Sequence, residues 1–140
     1  MSKVAIVYWS GTGNTQTMAE AVAEGAKSKG AETSLLTSAE FSAAAVADYD
    51  AIAFGCPAMG AEVLEEEEFE PMFSACELAL KGKKIALFGS YGWGDGEWMR
   101  SWEDRCKADG AVLACDSVIC NDAPDDLAQD ECKALGAALA

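Results

Sequence analysis

Ser10-Gly11-Thr12-Gly13-Asn14-Thr15 sets two glycines among four side-chain hydrogen-bonding groups, directly after an apolar run that ends at Trp9. A strand, a short turn and then a helix make an anion site, because the free N–H groups at a helix start and the helix dipole both favour negative charge. Gly11 and Gly13 let the backbone wrap closely around such a ligand. The spacing narrows the choice. A GxxxxGK[ST] loop needs a lysine that is missing here, and a dinucleotide fingerprint needs glycine where Gln16 stands. The donor set suits a terminal phosphate monoester better than a pyrophosphate. A lone Gly-Thr-Gly also permits a plainer alternative, a polar turn in which Asn14 or Thr15 caps the helix.

Two further segments carry unusual residues. Pro57-Ala58-Met59-Gly60-Ala61-Glu62 follows a second apolar run, and Ser90-Tyr91-Gly92-Trp93-Gly94-Asp95-Gly96 follows a third. Taken alone, Met59 reads as core and Gly60 as a turn residue. Trp93 between two glycines packs poorly as core and makes better sense as a plate for a planar ligand.

The elements that must position these loops follow from the patterning. Residues 4–9 (VAIVYW) are continuously apolar, as in a parallel strand covered on both faces. Residues 14–28 have helical spacing at Met18, Val22 and Ala26, with Gly30 as a stop. Strands are expected at 32–37, 50–55, 84–89 and within 111–120, where Asp116 makes the pattern less regular. Helices are expected at 67–80, 97–109 and 125–139, with Pro71 tolerated only near a helix start or at a kink. This β-α alternation implies a parallel sheet with ligands bound beyond the carboxyl ends of its strands. The loops at 10–15, 57–62 and 90–97 all fall there.

Composition limits the function. The 140 residues suit one domain, 1–140, and no linker or repeat divides them. No stretch is apolar enough to span a bilayer and no export signal opens the chain, so it reads as complete, unexported and cytoplasmic. The formal charge of −14 argues against nucleic-acid and anionic-membrane partners. Residues 1–38 balance three acids against three bases, so the excess lies in 39–140, most densely at 62–70. That stretch is either a solvated face or a docking surface for basic partners. Histidine is absent and the six cysteines form no CxxC pair, so zinc or iron–sulfur ligation is not expected.

YWSGTGNT at 8–15, GCPAMGAE at 55–62 and FGSYGWGDGEWM at 88–99 together resemble the short-chain flavodoxins of anaerobic bacteria. The resemblance spans essentially the whole chain. It implies a flavodoxin-like three-layer α/β sandwich around a five-stranded parallel sheet in the order 2-1-3-4-5. It also implies a low-potential one-electron carrier with FMN as cofactor, rather than an enzyme. Ser10, Thr12, Asn14 and Thr15 would hold the phosphate, with Ser90 assisting and Gly11 and Gly13 shaping the loop. Trp93 and Met59 would cover the two faces of the isoalloxazine, within loops that include Ala58, Ala61, Tyr91, Gly92 and Gly94. Gly60 would sit at ring atom N5, where its carbonyl would stabilise the neutral semiquinone, and Glu62 would accept from N3–H. Trp9 and Asn121 would border the site. Implied partners are flavodoxin or ferredoxin reductases and low-potential oxidoreductases, docking on the acidic rim of a monomer. Pro57 and Ala61 depart from relatives that carry serine and a polar residue there. A receiver-type signalling module shares the strand order but needs paired acids where Ser10-Gly11 stands. An FMN-dependent reductase would need a second pocket, for which no added loops are evident.

Overall fold

A computed structural model describes residues 2–60 and 62–140. Met1 and Ala61 lie outside the described residues, and with Ala61 one residue of the expected second loop. Strands β1 (Lys3–Tyr8), β2 (Glu32–Thr37), β3 (Ala51–Gly55) and β4 (Lys84–Tyr91) pair in parallel in the order β2-β1-β3-β4. Beside β4, two short strands share the fifth place: β5 (Val112–Leu113) opposite Lys84 and Ile85, and β6 (Val118–Asn121) opposite Phe88 to Tyr91. The expected order 2-1-3-4-5 is present, with the fifth strand divided. Its irregular residues, 114–117, are those around Asp116.

Helices α1 (Asn14–Ser28), α2 (Phe69–Cys76), α3 (Glu97–Ala108) and α4 (Asp126–Leu139) cover the two faces. The sequence-based span of α2 is too long at its start, because residues 65–68 form the approach to the helix and not its first turn. Pro71 stands third in α2, where its missing N–H would have found no helical acceptor anyway. Between β2 and β3 the chain crosses through 3-10 turns at Ser38–Glu40 and Ala43–Asp48.

The apolar strand runs divide by alternation into two cores. Ala5, Val7, Ile52, Phe54, Ile85 and Leu87 point to the side of α2 and α3, where they meet Phe69, Phe73 and Trp102. Val4, Ile6, Ala51, Ala53, Ala86 and Phe88 point to α1 and α4. Bulky strand residues thus face the aromatic layer, in which Phe73 stands edge-on to Phe54 at 5.1 Å and to Trp102 at 5.6 Å. The alanines of β3 and β4 face two helices that sit close together. This two-sided burial explains why the strands read as continuous hydrophobic segments.

Candidate functional site

The carboxyl ends of β1, β3 and β4 deliver three loops to one cavity of about 220 Å³. From the first loop come Trp9, Gly11, Thr12 and Asn14; from the second, Pro57, Ala58 and Met59; from the third, Ser90, Tyr91 and Gly92. Asp122, just past β6, completes the lining. Among the described residues, no lysine or arginine lines it.

The first loop is built to leave donors unpaired. Ser10 Oγ accepts from the Gly13 N–H at 3.0 Å and from the Gln16 N–H at 3.3 Å, closing the turn on itself. Gly13 caps α1 with φ 96°, a left-handed conformation costly for a residue bearing Cβ. Among the described residues, the amides of Asn14 and Thr15 have no protein acceptor. Trp9 lies over Gly11, so a Cβ there would stand 3.0 Å from its ring. Thr15 is buried, with its Oγ1 3.4 Å from Ser90 Oγ, which ties the first loop to the third.

The second loop is a small hairpin. Met59 and Val63 exchange backbone hydrogen bonds of 2.9 and 3.0 Å, leaving Gly60 and Glu62 in the turn with φ of 49° and 56°. A Cβ on Gly60 would meet nothing within 4 Å among the described residues beyond its chain neighbours. Glu62 turns its carboxylate towards the third loop, where a Cβ on Gly94 would collide with its Oε1 at 2.3 Å. That Oε1 is buried and has no hydrogen-bond donor among the described residues. Carboxylate oxygens of Glu62, Asp95 and Glu97 lie within 4.8 Å of one another, and Arg100 binds Asp95 at 3.0 Å beside them. Trp93 is 63% exposed at the tip of the third loop.

Several expected residues lie away from the cavity lining. Ser10, Gly13 and Thr15 support it through the bonds described above. Gly60, Glu62, Trp93 and Gly94 stand on the loops around it, and Asn121 is replaced in the lining by its neighbour Asp122. Pro57 and Asp122 were not among the expected site residues. The sequence signal for Asp122 is the turn-forming Asn121-Asp122-Ala123-Pro124 after a strand, and Asp122 indeed adopts φ 56°.

This donor set fits FMN: unpaired amides for a phosphate, apolar and aromatic walls for a ring, and a buried carboxylate oxygen lacking a donor. Comparison with known proteins agrees. The family model described as Flavodoxin matches residues 6–136. A flavodoxin of Megasphaera elsdenii is 46% identical over 137 residues, covering 98% of each chain. One of Clostridium beijerinckii is 46% identical over 125 residues, covering 89% of this chain and 91% of the relative. The solution structure of the two-electron reduced Megasphaera elsdenii flavodoxin superposes with a TM-score of 0.90 over 97% of both chains. The chain belongs to the flavodoxin family, whose members are FMN-binding electron carriers of the doubly wound α/β class. FMN is therefore its cofactor, and electron transfer, not substrate turnover, its class of activity.

Proposed function

We propose that this chain is a cytoplasmic, low-potential one-electron carrier whose three loops bind FMN and bias its half-reduced form. The observation that carries the reading is the pairing of unsatisfied polar atoms on the loops: the amides of Asn14 and Thr15, and the buried Oε1 of Glu62. Bound FMN supplies two successive one-electron steps. The protein's part is to bind the phosphate, orient the ring and handle its protons.

In this reading the Asn14 and Thr15 amides, with the hydroxyls of Ser10, Thr12 and Thr15, hold the phosphate, and Ser90 assists. Met59 and Trp93 cover the ring faces within walls that include Ala58, Tyr91 and Gly92. Glu62 would accept a hydrogen bond from N3–H, which would supply the donor its Oε1 lacks. The Gly60 carbonyl would accept a hydrogen bond from a protonated N5. Such a bond contributes on the order of 1 kcal/mol net, more where water is excluded. The positive φ of Gly60 and the open space around it make reorientation there inexpensive. Glu62, Asp95 and Glu97 oppose added negative charge nearby, which lowers the potential of the second step. The same acids would meet basic partners, namely reductases and low-potential oxidoreductases, around the exposed edge at Trp93.

Redox titration of the FMN-loaded protein with optical detection tests this. Two well-separated one-electron steps are expected, with the second at low potential. Gly60→Thr should narrow the separation by lowering the first step. A single two-electron transition in the unaltered protein would overturn the reading.

A further inference from the structure

The acidic stretch after Glu62 is not uniform. Glu66, Glu67 and Glu68 are exposed, whereas Glu65 is only 6% exposed. Its carboxylate is consumed by the backbone: Oε2 accepts from the Glu67 N–H and Oε1 from the Glu68 and Phe69 N–H groups, each at 2.8 Å. These are the last two amides of the approach to α2 and the first of the helix itself, which has no helical acceptor for them. Burial alone would raise the pKa of Glu65, but the three amide donors outweigh it and hold the carboxyl below its ordinary value.

The backbone of Glu65 is fixed as firmly as its side chain. Its N–H donates to Cys56 Sγ at 3.4 Å and its carbonyl accepts from the Glu70 N–H at 2.8 Å. Cys56 in turn donates its N–H to the Phe88 carbonyl at 3.1 Å and accepts from Trp98 Nε1 at 3.2 Å. The second loop thus leaves the sheet at Cys56 and returns to Glu65 beside it. Its tip, by contrast, hangs over an open groove lined by Met59, Gly60 and Glu65 to Glu67. A loop with tied ends samples few tip geometries, so the entropy lost in placing the Gly60 carbonyl is small.

We infer that Glu65 is a positioning residue for the redox site: by gathering the amides that lead into α2 it pins the root of the Met59–Val63 hairpin and so sets the reach of the Gly60 carbonyl. The inference rests on the role assigned to Gly60 above. It separates geometry from charge. Loosening the root disfavours the first one-electron step, which depends on that carbonyl. Removing a nearby negative charge acts on the second step, which adds charge to the ring.

The test compares Glu65→Asp, Glu65→Gln and Glu66→Gln in the FMN-loaded protein, reading both potentials, FMN affinity and amide exchange at Met59 and Val63. Glu65→Asp keeps the charge but shortens the reach, so it decides the question even if Glu65→Gln folds poorly. Both Glu65 variants are expected to lower the first step and to accelerate exchange at Met59 and Val63 by about tenfold or more, as local opening becomes easier. Glu66→Gln should shift only the second step and leave that exchange unaltered. If Glu65→Asp matches the unaltered protein in first potential and exchange, the inference is overturned and the Gly60 reading stands. If the unaltered protein lacks separated steps, that reading falls and this inference falls with it.

Discussion

Asp109, directly after α3, has a buried Oδ2 with no hydrogen-bond donor among the described residues. Its surroundings are crowded: Arg105 is held by Glu70 at 2.7 Å and by Glu77 at 2.6 Å, with Cys106 close by. Burial first, then the nearby Glu77 carboxylate, raise Asp109 to about 6, against the pull of Arg105. A carboxyl raised in the folded state contributes stability that is complete below its unfolded value near 3.8 and is lost as pH rises through about 6. Asp109→Asn should remove that loss. The difference in unfolding free energy between variant and parent should grow in the variant's favour between about pH 4 and pH 6, then level off. Partial exposure and screening hold the gain to about 1 kcal/mol. Denaturant titrations at several pH values check this, and a difference independent of pH would refute it. Glu65, Glu70 and Glu77 are lowered and act in the opposite direction, losing stability on acidification, so only the comparison isolates Asp109. Nothing in the sequence marks Asp109 as special, because the carboxylate that raises it, Glu77, belongs to a distant segment of the chain.

Helices α1 and α4 approach until backbone meets backbone. A Cβ on Gly136 would stand 1.9 Å from the Val22 carbonyl oxygen, and one on Gly25 would stand 1.9 Å from that of Lys133. Neither position needs a special φ; what each needs is the absence of a side chain. Gly136→Ala gains roughly 1 kcal/mol of helix propensity but forces the helices apart, an overpacking cost that should dominate by about 2 kcal/mol. Chemical denaturation of the FMN-loaded variant measures it, and equal or greater stability would refute the close packing. The strands, α1, α3 and α4 were legible from the sequence because local pattern specifies them: two-sided burial makes unbroken apolar runs, and glycine stops end them. Where tertiary contacts decide, legibility failed. Glu65 looks like its acidic neighbours and differs only because Cys56 and the amides of α2 surround it. Of the site, the three loops could be read from their glycines and aromatics, whereas the reach of Asp122 into the cavity depends on a left-handed turn.

Over the whole molecule, charge is distributed so that the phosphate loop stays free of it. Between Lys3 and Lys27 there is no basic residue, and the excess of −14 lies beyond residue 38. FMN affinity should therefore stay level or rise slightly with added salt, since salt screens repulsion from the chain while no local ion pair is present to weaken. A change smaller than about threefold is expected across the range in which ordinary ion pairs are screened. Isothermal titration at low and high ionic strength tests it, and a steep loss of affinity would contradict it. The divided fifth strand has a consequence of a different kind. A continuous strand at the border of a sheet is a template on which a second chain can add itself. Here that border offers only two residues in β5 and four in β6, interrupted at 114–117, where the Ala114 N–H still reaches the Ile85 carbonyl at 2.9 Å but the chain then leaves the ladder until Val118. The interruption denies an incoming strand a continuous register at this border, and should leave β2, continuous over six residues at the opposite border, as the edge more open to strand addition when the protein is concentrated.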